Sequence, residues 1–291
     1  MKEINTTTSI VITILIILAT SVLSINNREI NATIITIEKG MSLNTVSELL
    51  LDEDVVINQN IFKLKVIGRG LASKVPTGKF LIEGKISDAI IIDLIFNKGP
   101  IKLKLTIPEG LQSKKLFKNI NSLLNTDYDF DQYFESQNIL EQYNISAKTL
   151  EGYLYPNTYY IYHDSTPKEI IDILLQEFWN QFDKNLQDRA NQLGFSVHEV
   201  VTLASIIEGE AMLDSERETI SSVYHNRLKI NMKLQADPTI QYILSGPPKA
   251  LSNRDLRVKS DYNTYQNYGL PPGPINNPGI ESIKAALYPK D

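Results

Sequence analysis

The chain has no cysteine, three histidines and one tryptophan among its 291 residues. The missing thiols exclude a cysteine nucleophile, thiolate zinc sites and disulfides together. The histidines, His163, His198 and His225, are scattered, and His198-Glu199 is not followed by a second histidine four residues on, so the helical zinc-protease pattern is missing. There is no G-x-S-x-G elbow and no phosphate-cradling glycine loop, which argues against nucleophilic serine chemistry and nucleotide binding. No metal and no cofactor is expected. Positive charge is also short: 34 acidic against 29 basic residues give a net charge of −5, so the chain lacks the broad basic footprint of a nucleic-acid partner. Carboxylates remain as the groups able to do chemistry.

What is present begins with an apolar run. No charged residue lies between Glu3 and Arg28, and Ser9 to Ile25 is dominated by Ile, Leu and Val. About 20 apolar residues cross a bilayer core, so this run is just adequate. The competing reading is a cleaved signal peptide, with small residues from Ala19 to Ser24 near a cut. Signal cores usually run to about 7–15 residues, which favours a retained anchor over residues 1–27. The bulk of the chain is then expected outside the cytoplasmic membrane, although Lys2 against Arg28 and Lys39 is thin support for orientation.

The remainder is expected to be α+β. Ala32 to Ile37 is β-branched and strand-like, Ser42 suits the N-cap of a helix through Leu51, and Val55 to Ile67 suggests a second helix with Ile57, Ile61, Phe62, Leu64 and Val66 on its apolar side. Phe80-Leu81-Ile82 is again strand-like, and Ser87 suits the cap of a helix ended by Asn97-Lys98-Gly99. A further strand, Ile101 to Ile107, runs into Pro108-Glu109-Gly110, the expected boundary between a small unit over 28–107 and a larger one over 108–291. The larger unit is mainly helical by pattern, with helices expected at Ser113–Leu124, Phe130–Gln137, Pro167–Leu186, Val197–Met212 and Ser215–Lys229. From Ser260 to Pro278 the chain is rich in Tyr, Asn, Gly and Pro and reads as a loop.

One helix face carries the chemistry. In Leu203-Ala204-Ser205-Ile206-Ile207-Glu208-Gly209-Glu210-Ala211, a step of about 100° per residue puts Glu210 between Ile206 and Ile207 and above Leu203, while Glu208 points elsewhere. Desolvation of a carboxylate raises its pKa toward what a general acid near neutral pH needs. The bland alternative is an interfacial glutamate that caps, pairs or reaches solvent. Five of the 14 tyrosines fall between Tyr153 and Tyr162, where rings with polar tips either stack on sugars or simply pack. Tyr262-Asn263-Thr264-Tyr265 lies in the Pro/Gly-rich loop, which has no core to fill, and is the better ligand cluster. Asp237 suits an N-cap ahead of Pro238, Gln235 is free to orient a substrate amide or hydroxyl, and Asn226 and Arg227 have a structural hydrogen bond and a surface pair as their ordinary roles.

The ordered segments L-A-S-I-I-E-G-E-A, V-Y-H-N-R-L, M-K-L-Q-A-D-P-T-I-Q-Y and Y-N-T-Y-x-x-x-G-L-P-P-G-P-I-x-N-P-G, preceded by L-E-G-Y-L-Y-P-N-T-Y, resemble the endolytic murein transglycosylase family (YceG-like, MltG-type) over essentially the whole chain. The resemblance implies a single-pass bacterial inner-membrane enzyme with its catalytic domain on the extracytoplasmic side. It implies a small LysM-like α+β subdomain over 28–107 and a mainly helical lysozyme-like catalytic domain with loop and short-strand elaborations over 108–291. The implied substrate is nascent peptidoglycan glycan, and the implied partners are peptidoglycan synthases of the elongation machinery. The family's catalytic glutamate falls in the first segment, which offers Glu210 with Glu208 in reserve; Gln235, Asn263, Tyr265, Tyr262, Glu151 and Asn226 are the substrate-binding residues expected from motif position. Members continue past A-L-Y-P with a strand, a G-G-H-x-F-like segment and a further helix, whereas this sequence stops at Asp291, so the catalytic domain is expected to be C-terminally short.

The expected chemistry is lytic cleavage of the MurNAc-β-1,4-GlcNAc bond, with one carboxylate acting as acid and then base and the muramic C6 hydroxyl closing on C1. Two alternatives stay open: a lysozyme-like hydrolase in which Asp237 or Asp261 activates water, and a membrane-tethered peptidoglycan-binding scaffold without catalysis.

Overall fold

A computed structural model describes residues 28–290 except 245 and 248, so the anchor expected over 1–27 lies outside the described residues. Among the described residues no helix is long and apolar enough to cross a membrane. The chain divides into two compact units, one reaching to Leu103 and taking in Tyr162–Asp164, the other formed by Lys104–Ile161 and Ser165–Asp291.

The first unit is a strand, two helices and a strand. β1 (Arg28–Ile37) is followed by α1 (Leu43–Asp52) and α2 (Gln59–Gly68), and β2 (Gly78–Ile86) returns antiparallel to β1 with Ile35 opposite Phe80 and Ile37 opposite Gly78. The strand period of two sorts the side chains: Ile35 and Ile37 are buried, whereas Ile34 and its partner Leu81 face outward. Ser42 caps α1 as expected, its Oγ accepting the Thr45 N–H at 3.2 Å. The second helix starts four residues later than expected, because Asn58 caps it through the N–H groups of Asn60 and Ile61. Phe62 and Val66 therefore form its inner face, while Ile57 and Leu64 are exposed. α3 (Asp88–Ile92), capped by Ser87, widens into a π-helical turn over Asp93–Lys98 and ends at Gly99, whose φ of +79° favours glycine. Its Ile91 and Ile92 close the core over Val46, Leu50, Phe62 and Phe80.

In the second unit β3 (Lys102–Thr106), which begins at the unit boundary, leads to α4 (Ser113–Leu124), the short α5 (Asp131–Phe134) and α6 (Gln137–Gln142), and β4 (Thr158–Tyr162), which pairs with β3. The expected helix over Phe130–Gln137 is thus only the short α5, with α6 beginning at Gln137 and running beyond that span. The expected helix over Pro167–Leu186 also divides, into α7 (Pro167–Gln181) and α8 (Lys184–Leu193), because Asp183 accepts the Leu186 N–H at 3.0 Å and starts a new helix. α9 (Val197–Glu210) opens on a capping box in which Ser196 and Glu199 satisfy each other's backbone. α10 (Arg217–Lys229), α11 (Asp237–Leu244) and α12 (Ile280–Leu287) follow, and α8, α10, α11 and α12 all pack on α9. Every residue of α9 from Val200 to Ile207 is buried, so the helix is an internal axis of the unit. The chain from Ser260 to Pro278 forms no helix or extended strand and wraps this axis as a loop.

Candidate active site

Where α9 emerges from the core, its last turn opens into a cleft of about 430 Å³. One wall is the loop Gly110-Leu111-Gln112 with Lys115 of α4; the others are Gly209 and Glu210, the start of α11 at Asp237 and Pro238, and Ile275-Asn276. Gly209 is where helix and wall touch. A Cβ there would lie 2.7 Å from Cβ of Pro238 and 3.0 Å from its Cγ, closer than van der Waals contact permits.

The two glutamates of this turn have different surroundings. Because α9 is buried on all sides, its apolar pattern does not by itself separate them; their partners do. The Glu208 side chain is 7% exposed, and its Oε1 accepts from Nη2 of Arg217 at 2.9 Å while Oε2 accepts the Gly279 N–H at 2.9 Å. Arg217 is held in turn by Oγ of Ser282, to which its Nε donates at 2.8 Å, and by Asp214. Among the described residues Glu210 makes no ion pair, and its carboxyl projects into the cleft wall. Burial of part of that carboxyl pushes its pKa up, the charge of Asp237 pushes it further, and Arg227 opposes.

Asp237 is the first residue of α11 and not the residue before it, and its carboxylate accepts the Tyr265 hydroxyl. Burial, then this bond, push the Tyr265 phenol up to about 12. Tyr224 of α10 is buried nearby, and burial followed by the charge of Glu210 raises its phenol as well. The chain entering α11 is bent sharply: Gln235 has a φ of +52°, a region that non-glycine residues seldom occupy, and its N–H donates to the Thr264 carbonyl at 3.1 Å. Arg227 secures the same bend by donating to the Leu234 carbonyl. Thr264 secures it again, its Oγ1 accepting the Ala236 N–H at 2.9 Å.

Two of the residues expected to bind substrate make hydrogen bonds within the chain. Asn263 is fully buried; its Nδ2 donates to the carbonyls of Leu256 at 3.1 Å and Val258 at 2.7 Å, and its Oδ1 accepts the Tyr265 N–H at 2.9 Å, so it shapes the loop that presents Tyr265. Glu151 is 4% exposed and accepts both the N–H and the hydroxyl of Ser113, at 3.0 and 2.9 Å, with burial pushing its carboxyl up to about 7. Tyr262 is half-buried against Tyr242, their ring centroids 5.0 Å apart. The side chains of Gln235 and Asp261 are exposed, and so is that of Asn226, on α10. Glu210 and Asp237 line the cleft, and Tyr265 reaches it through Asp237; Gln235, Tyr262, Asn263, Glu151 and Asn226 are not among its lining residues. Among the described residues no group of three His, Asp or Glu side chains is arranged to hold a metal ion.

Sequence reasoning missed three residues of consequence. Arg217, the partner that neutralises Glu208, lies nine residues further on with no local signal. Asn276 enters the cleft wall and Asn277 lies behind it. Asn277 is fully buried, its Oδ1 accepting the N–H groups of Gly152 and Leu154, both at 3.0 Å, and its Nδ2 donating to the Leu111 carbonyl at 2.8 Å. It ties together three segments far apart in sequence. A buried amide with two donors and one two-lone-pair acceptor is well suited to that role, but only proximity in the fold reveals it.

The profile of the YceG-like family matches residues 35–291. A protein of Bacillus subtilis named endolytic murein transglycosylase is 33% identical over 272 residues, covering 88% of this chain and 75% of its own length. One of the same name from Streptococcus pneumoniae is 30% identical over 220 residues, covering 65% of this chain and 39% of its own. The crystal structure of a YceG-like protein from Listeria monocytogenes superposes with a TM-score of 0.62 at 31% identity, covering 90% of this chain and 91% of that one.

Proposed function

The chain belongs to the YceG-like family, and from that premise we propose that it is an endolytic peptidoglycan lytic transglycosylase that cuts MurNAc-β-1,4-GlcNAc bonds within nascent glycan strands and so limits their elongation. The observation that carries the reading is the division of labour between two glutamates two residues apart in one helical turn. Glu208 is neutralised by Arg217, while Glu210 meets the cleft unpaired and with its proton affinity raised. A carboxyl that holds its proton to higher pH is suited to protonating a glycosidic oxygen.

In the proposed reaction Glu210 gives its proton to the oxygen leaving as the GlcNAc C4 hydroxyl, and the C1–O bond breaks through an oxocarbenium-like state. The muramic C6 hydroxyl then bonds to C1 and returns its proton to Glu210. No water enters, and the new end is 1,6-anhydro-MurNAc. Because the nucleophile belongs to the substrate, a second catalytic carboxylate is not required, in contrast to ordinary glycosidases. Asp237 keeps the proton affinity of Glu210 high and is itself steadied by Tyr265.

The wider reading is of one enzyme held at the inner membrane through residues 1–27, with a LysM-like unit and a lysozyme-like catalytic unit outside the membrane, working beside peptidoglycan synthases. The apolar run before Arg28 and the strand–helix–helix–strand order of the first unit support it. A second reading, a hydrolase in which Asp237 activates water, is favoured by the single fact that Asp237 shares the cleft with Glu210. Mass analysis of the products from uncrosslinked nascent glycan tests both. Products ending in anhydro sugar, and none from Glu210→Gln, are expected; reducing ends heavier by one water overturn the lytic reading.

A further inference from the structure

Charge is spread unevenly along the chain. Its net charge is −5, yet from Val55 to Ile82 it carries Lys63, Lys65, Arg69, Lys74 and Lys79 and no acidic residue. Lys63 and Lys65 lie on α2, and Arg69 follows its last residue. Lys65 is already committed, its Nζ lying 2.8 Å from Oδ2 of the buried Asp88. Among the described residues Lys63, Arg69 and Lys74 have no acidic partner, and Arg69 and Lys74 are exposed. The acidic run Asp52-Glu53-Asp54 precedes α2, whereas the cations gather from the middle of the helix onward.

The same helix exposes apolar side chains. Phe62 and Val66 turn into the core of the first unit, whereas Leu64 is 69% exposed and Ile67 54%. Three residues apart, Leu64 and Ile67 share one face of the helix, so apolar tips and unpaired cations occur together on its outer side. The Lys65–Asp88 pair ties the middle of α2 to the start of α3, two residues after Ile86, and Ile86 is the partner of Arg28 across the sheet. Arg28 is also the residue at which the uncharged apolar run of the sequence ends. α2 therefore lies at the end of the sheet where the chain leaves that run.

We propose, resting on the reading of the chain as held at a membrane, that α2 and the loop to Lys74 form a second contact with that membrane, made to an anionic phospholipid surface. Leu64 and Ile67 enter the headgroup region, and Lys63, Arg69 and Lys74 meet lipid phosphates. Helices that combine basic and apolar residues on their outer side lie in the plane of the interface. Cations beside an anionic leaflet each add a modest attraction that fades within a Debye length, so they act only where the fold keeps them close to the surface. An uncharged glycan has no use for three unpaired cations. An acidic protein would use them, but nothing would require it to dock at the end of the sheet that adjoins the apolar run. A bilayer accounts for the charge, the apolar tips and the position together. A single tether leaves the first unit free to swivel; this contact lays it against the surface.

The chain has no cysteine, so a fluorophore can be attached at one chosen position. The full chain is combined with phosphatidylcholine vesicles, with or without phosphatidylglycerol, and quenching by nitroxide-bearing lipid is read from a label at Leu64→Cys. Leu81→Cys is the reference, because Leu81 is an exposed leucine on the face of β2 opposite to Phe80 and therefore away from α2. Strong quenching at Leu64→Cys and little at Leu81→Cys are expected when phosphatidylglycerol is present. Most of that quenching should be lost without phosphatidylglycerol, and lost again when Lys63→Gln, Arg69→Gln and Lys74→Gln are combined, with melting curves showing that the combined variant is folded. Equal quenching at the two positions overturns the proposal, as does quenching at Leu64→Cys that is indifferent to phosphatidylglycerol or, in a folded chain, to the three substitutions. A label shielded by added peptidoglycan glycan and not quenched by lipid assigns the face to glycan and overturns it too. Anchoring is measured separately, by extraction with alkaline carbonate. A chain that is extracted yet keeps phosphatidylglycerol-dependent quenching at Leu64→Cys counts against the anchor and leaves the surface contact standing; a chain that resists extraction without that quenching does the reverse.

Discussion

Nη2 of Arg217 lies 2.9 Å from Oε1 of Glu208 in a place where the two side chains are 9% and 7% exposed, and this ion pair commits one of the two glutamates in the last turn of α9. Removing one partner of a buried pair strands the other, at a cost of about 3 kcal/mol or more. Asp214, also against Arg217, softens the loss without replacing it. Glu208→Gln is expected to lower the melting temperature by several degrees and to retain cleavage wherever it remains folded. Glu210→Gln is expected to keep its fold and lose cleavage. Melting curves paired with product analysis check both, and the opposite pattern would reverse the assignment.

Asp237 offers a pH test. Its negative charge raises the proton affinity of Glu210, so Asp237→Asn should let Glu210 lose its proton at lower pH. The alkaline limb of the pH–rate profile should move toward acid, with cleavage reduced but not abolished and the products still anhydro-ended. Complete loss of cleavage in a folded Asp237→Asn protein would instead favour the hydrolase reading.

Tyr265→Phe removes the hydroxyl that Asp237 accepts while leaving the ring in place. A hydrogen bond to a charged group contributes about 1.5–3 kcal/mol, so losing it should leave the Asp237 carboxylate less firmly held at the cleft. The expected result is slower cleavage and little change in melting temperature, read from rates across pH. A profile superimposable on that of the parent would exclude the hydroxyl from the reaction.

Glu151 makes folding stability itself depend on pH. Burial raises its carboxyl from the ordinary 4.5 to about 7 in the folded chain. The folded state thus holds the proton more tightly than the unfolded state, and this contribution is present below about pH 4.5 and lost as pH rises through about 7. Denaturant midpoints measured across that window should decline toward neutrality in the parent protein and decline less in Glu151→Gln. A slope unchanged by the substitution would mean that Glu151 titrates normally.

Gly209→Ala sets two effects against each other. Alanine gains up to about 1 kcal/mol of helix propensity over glycine. The added methyl, however, would lie 2.7 Å from a proline ring that has no flexible end to move aside. The clash should win, with a lower melting temperature and weakened cleavage; a stabilised, active protein would show that Pro238 yields.

Local features of the sequence carried over well. The caps at Ser42 and Ser87, the helix Ser113–Leu124 and the loop from Ser260 all follow from side chains acting on neighbouring backbone. The caps at Asp183 and Asn58 were harder to read, because each lies within a stretch whose apolar periodicity continues across it. At the site, the glutamate turn was visible as a pattern. The reason for preferring Glu210 was not, since Arg217 and Gly279 reach Glu208 only in three dimensions. The burial of Asn263 and Glu151 was not legible, because a buried polar side chain and an exposed one share the same residue types in a sequence.

The three-way tie at Asn277 bears on how the molecule comes into being. Its side chain joins Leu111, Gly152 and Leu154 to a loop that the ribosome delivers more than a hundred residues later. The walls at Gly110 to Gln112 and the floor at Glu210 therefore wait, during synthesis, for a segment that follows both of them in the chain. Closing so large a loop is entropically slow, and native contacts of this range are made late in folding. An emerging chain that has exposed Glu210 but not yet Asn277 holds that carboxylate before the tie behind the cleft wall can form.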